Sequence, residues 1–71
     1  GFSIPLTKWL QNDLYDPVSA VLLDKSLCEE FGLNLNRLEM ILKKHKQKEF
    51  DFKWPIFTIF ALFSWRNNLS N

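Results

Sequence analysis

From Trp54 to Trp65, nine of twelve residues are apolar, and at helical spacing they go all round the helix instead of lining one stripe. A helix of that kind is buried on every side. The longest apolar stretch is too short to cross a bilayer: Ile56 to Trp65 spans ten residues, interrupted by Thr58 and Ser64, where a transmembrane helix needs about 20. The segment therefore needs protein around it. A chain of 71 residues offers it three or four short helical neighbours, which can hardly wrap it completely. Part of its surface is expected to meet protein outside these residues.

The rest of the composition sharpens that problem. With 46% hydrophobic, 15% aromatic and 24% charged residues, the chain is globular in character and large enough for one domain. At this length only about 60% of the unfolded chain's surface is buried on folding, so stability is marginal. Small domains commonly gain stability from a disulfide, a metal or a partner. A single cysteine, Cys28, excludes an internal disulfide, and a single histidine, His45, argues against an all-protein zinc site. Dense packing, self-association or contact with further protein remain. The first residue is Gly1, as in a processed chain, a tag remnant or an excised fragment. Nine basic and eight acidic residues leave a net charge of +1, which points to neither nucleic acid nor membrane. Phe2 to Leu6 is too short and too uncharged for a signal peptide. The expected setting is soluble and cytoplasmic.

The spacing predicts an all-α fold, a small bundle of four to five short helices in a single unit over residues 1–71. Leu6, Trp9, Leu10 and Leu14 form one helical stripe, with Pro5 at a position that tolerates losing its N–H. Asp16-Pro17 reads as the cap and first residue of a second helix, whose stripe is Val18, Val21 and Leu22 and which runs out near Asp24. Ser26 and Glu29 have capping-box spacing, opening a short helix that Gly32 stops after Phe31. The next helix has two possible caps, Asn34 and Asn36, and places Leu38, Ile41, Leu42 and His45 on one face. Glu39 precedes Lys43 by four residues, and Lys43, Lys44, Lys46 and Lys48 crowd the end that the helix dipole makes favourable for cations. The last helix starts between Asp51 and Pro55 and runs to about Arg66.

Few residues carry chemistry. Cys28 lies beside Glu29 and Glu30, whose charges oppose thiolate formation, so a structural thiol is the reading. His45 has no second ligand at metal spacing and stands at a helix end, which suits capping or packing. The lysines near Phe50, Phe52 and Trp54 resemble a nucleic-acid patch, but they spread around the helix end and read as a solvated terminus. Asp13, Asp16, Asp24 and Asp51 look like caps or surface residues. No Gly-rich phosphate loop, paired-carboxylate site or Ser/His/Asp set can be assembled. These residues do not make a complete enzyme.

Gly1-Phe2-Ser3-Ile4-Pro5-Leu6-Thr7-Lys8-Trp9-Leu10 resembles the segment G-F-x-x-P-(L or I)-x-x-W-(L, I or F) of the asparagine synthetase family. The remainder agrees in order and spacing: short helices, a stop at Gly32-Leu33, a helix ending in Ile41-Leu42-x-x-His45, then Asp51 and a closing aromatic-aliphatic helix ending in Trp65. Two positions depart from the pattern. Lys48 stands where many members place a glycine, and Arg66 follows Trp65 directly instead of one residue later.

The resemblance implies the extreme C-terminal part of a synthetase domain. In that family a glutaminase domain releases ammonia. The synthetase domain binds ATP and magnesium, adenylates a carboxylate and lets ammonia displace AMP. The ATP loop, the active-site acid and a catalytic lysine just before the G-F motif all lie upstream of this region. Gly1, Phe2 and Ser3 would begin the loop after that lysine, near the pyrophosphate pocket, and Pro5 and Trp9 would anchor the helix leaving it. No residue here would be catalytic or hold ATP or a metal, and the partner would be the rest of the synthetase domain. The alternative is a free-standing helical interaction module that forms a homodimer through its last helix.

Overall fold

The computed structural model describes residues 5–69 and holds five helices: α1 Leu6–Trp9, α2 Tyr15–Leu22, α3 Lys25–Glu30, α4 Leu35–Lys46 and α5 Lys53–Leu69. No strand occurs among the described residues. The all-α expectation holds, with α5 as the long element on which α2 and α4 pack.

The first helix is shorter than its stripe predicts. After Trp9 the Gln11 and Asn12 amides bond three residues back, and the Asn12 side-chain amide donates to the Lys8 carbonyl at 2.9 Å. A side chain that competes for backbone groups in this way ends a helix. Leu10 is buried, but Trp9 and Leu14 stay substantially exposed, so the expected stripe is split.

Two expected caps are corrected. The second helix begins at Tyr15, which puts Asp16 inside the first turn instead of at the cap. Its charge still favours the helix N-terminus there, and Pro17 still falls where no N–H is needed. The third helix is capped by Asp24, whose Oδ1 accepts the Leu27 amide at 3.0 Å, so Ser26 lies within the helix and the Ser26–Glu29 box does not form. The earlier start turns Leu27 and Cys28 inward, where both are buried.

Both remaining boundaries have clear chemistry. Gly32 adopts φ +69°, with Leu33 N–H bonded to the Cys28 carbonyl and Gly32 N–H to that of Glu29. This is a Schellman stop. Of the two candidate caps for α4, Asn34 is used: its Oδ1 accepts the Arg37 amide at 3.1 Å. The far end of α4 repeats the Schellman pattern, with Glu49 N–H on the Lys44 carbonyl, Lys48 N–H on that of His45, and Lys48 itself at φ +63°.

The core has two patches. Leu10, Val18, Leu22, Leu42 and Ile56 form one; Leu27, Cys28, Leu38 and Phe63 form the other. Ile41 and Ile59 pack against both and join them. Phe63 is fully enclosed and stacks on Phe31 at 5.9 Å between ring centroids. Burying a side chain of that size contributes up to about 3 kcal/mol. Arg66 Nε donates to Glu30 Oε2 at 2.7 Å, tying α5 to α3.

As expected, α5 is only partly covered. Ile56 and Phe63 are buried, whereas Trp54, Phe57, Trp65 and Leu69 remain exposed. It starts inside the predicted window and extends three residues beyond Arg66.

Candidate functional site

The most organised polar cluster joins three separated parts of the chain. His45, the next-to-last residue of α4, is fully buried. Its Nε2 lies 3.0 Å from the Thr7 carbonyl oxygen in α1, and its Nδ1 lies 3.0 Å from the Phe52 amide nitrogen just before α5. A carbonyl can only accept and an amide N–H can only donate. Those partners assign the ring proton to Nε2 and leave Nδ1 as the acceptor. Phe52 is also the residue whose carbonyl takes the first amide bond of α5, from Ile56. His45 thus satisfies the N–H at the mouth of that helix while holding α1 in place.

Asp51 completes the clasp. Its Oδ2 accepts the Thr7 hydroxyl at 2.9 Å and the Lys53 ammonium at 3.1 Å, and its Oδ1 accepts the Lys53 amide at 3.0 Å. The bond to an amide two residues on is an Asx turn, and it sets a negative charge at the start of α5. Burial pushes the carboxyl pKa up. The hydrogen bonds from the Lys53 amide, the Lys53 ammonium and Thr7, with the Lys53 charge, outweigh that and hold it below the ordinary aspartate value of 3.8. Asp51 Oδ1 also lies 3.7 Å from His45 Nδ1. With Nδ1 already accepting from Phe52, this pair is not the carboxylate–imidazole couple of a general base. Both ring nitrogens are engaged. The arrangement holds chain segments together and leaves no lone pair for proton transfer.

The other sequence candidates stay apart from this cluster. Cys28 Sγ–H donates to the Leu22 carbonyl at 3.5 Å, and burial followed by the nearby Asp24 charge pushes the thiol pKa up. The structural reading of Cys28 stands, with Asp24 as the opposing charge where Glu29 and Glu30 were expected. Lys46 is drawn to the Tyr15 ring, 4.1 Å from its centroid, while Lys43, Lys44 and Lys48 are exposed around the end of α4. Phe50 and Phe52 rest on each other at 4.7 Å. Among the described residues no group of three His, Cys, Asp or Glu side chains is placed to hold a metal, and no helix is long and apolar enough to cross a membrane. Gly1, Phe2 and Ser3 lie outside the described residues.

Sequence reasoning missed one feature. Between α1 and the first turns of α5 runs an apolar cleft of about 820 Å³, bordered by Pro5, Trp9, Leu14, Trp54, Phe57 and Phe60. Trp9 is 43% exposed and Trp54 63% exposed, so neither indole is enclosed by the chain. The surplus of apolar residues in the last helix signalled that such a surface exists. Its location depends on the early end of α1, which no periodicity showed. The clasp forms the polar flank of this cleft, since Thr7 and Lys53 belong to both.

No protein-family model, curated protein or solved structure matches this chain.

Proposed function

We propose that this chain is the C-terminal structural portion of an asparagine synthetase-like, ATP-dependent amide-forming ligase, working in the cytoplasm and not catalytic on its own. One observation carries the reading. Thr7, inside the segment that resembles the family motif, is bonded through its carbonyl to His45 and through its hydroxyl to Asp51. Those are the two polar residues on which the rest of the resemblance turns. The motif segment, the helix ending in His45, the aspartate and the entry to the closing helix therefore meet at one clasp.

In this reading the role of the chain in the reaction is positional. The clasp fixes the start of α1 against α4 and α5. That fixes the described end of the segment that the resemblance places next to the lysine and the pyrophosphate pocket of the parent protein. ATP and magnesium would be held by residues upstream, as the family resemblance implies. The exposed indoles of Trp9 and Trp54 suit a cleft that the rest of the synthetase domain fills. Lys48 at φ +63° also bears on the register, since a glycine at that position adopts such a backbone without steric cost.

The test is the size of the native gene product, read by immunoblot of the source cell with an antibody raised to this chain. A band several times larger than 8.5 kDa is expected. A band at the size of the chain itself leaves no room for an ATP site and overturns the proposal.

A second reading, a homodimer through α5, is favoured by one feature of the outward face. Phe57 and Trp65, both exposed, lie four residues to either side of Ala61, also exposed. An antiparallel pair with its two-fold axis at Ala61 would set each Phe57 on the Trp65 of the other copy, in the isologous manner of symmetric dimers. In that case the apparent mass doubles as concentration rises, and Ala61→Cys forms a disulfide-linked dimer on oxidation. A chain that stays monomeric at high concentration overturns this reading and leaves the first untouched.

A further inference from the structure

We draw no further inference here: the strongest candidate, the apolar cleft between α1 and α5 with the exposed stripe of α5 beside it, carries none because nothing in the structure shows what covers it.

Discussion

The imidazole of His45 reaches across 38 positions of sequence to the backbone of Thr7, with Nε2 3.0 Å from the carbonyl oxygen. On its other side the ring takes the Phe52 amide, so one buried residue bridges α1, α4 and the entry to α5. Removing the ring leaves a carbonyl and an amide without partners and opens a cavity at a site with no solvent access.

His45→Ala is expected to cost about 3 kcal/mol, from two stranded polar groups and the void. Thr7→Val removes only the exposed hydroxyl bond to Asp51 and is expected to cost about 1 kcal/mol or less. Urea denaturation of the two variants checks the difference. Equal small losses would show that the ring is not what closes the clasp.

Asp51 gives the clasp a pH dependence of known sign. Its folded pKa lies below its ordinary value, so between the two values the unfolded chain binds more protons and stability rises with pH. The contribution is fully present above about pH 4, the unfolded value. It is lost as pH falls through the folded pKa. Asp51→Asn is expected to lower stability at neutral pH and to flatten the acid limb of the profile, measured as urea midpoints at stepped pH. An acid limb as steep as that of the parent chain would contradict this assignment.

Two left-handed residues close two helices with opposite economy. Gly32 at φ +69° bears no Cβ, and a Cβ built there meets nothing within 4 Å, so Gly32→Ala is strained by its backbone alone. A loss of about 1 kcal/mol is expected, with Lys48→Gly gaining up to a similar amount by relieving the same strain at φ +63°. The gain is trimmed by the greater freedom of glycine in the unfolded chain. Thermal melts of the two variants should move in opposite directions.

Trp54 and Phe63 belong to the same helix and differ in what surrounds them. Phe63→Ala is expected to cost about 3–5 kcal/mol, because the ring is enclosed and stacked on Phe31. Trp54→Ser is expected to stay within about 0.5 kcal/mol, as surface substitutions do. A large loss at Trp54 in the isolated chain would mean that the indole is already covered.

Much of the fold was legible because its signals are local. The Gly32 stop, the Asn34 cap as one of two options, the apolar face of α4 and the start of α5 all follow from neighbours within a turn. The errors were local too, and apart from the displaced start of α2, where no side chain caps the helix, they came from a side chain that competed for a backbone group. Asn12 took the Lys8 carbonyl and ended α1 early, while Asp24 capped α3 ahead of Ser26. Both residues were visible. Which competitor wins depends on which choice turns Leu10, Leu27 and Cys28 inward, and that is a tertiary matter.

The clasp shows the same division. The sequence by itself determined that the chain is all-α and that the last helix carries more apolar surface than so short a chain can bury. These conclusions need only residue type and spacing. Only the tertiary structure decided that His45 is a bridge between chain segments, that Thr7 and Asp51 meet across 44 positions, and that the uncovered surface gathers beside α1. Contacts that close loops of this length leave no periodic trace. They are set by how the five helices share one small core.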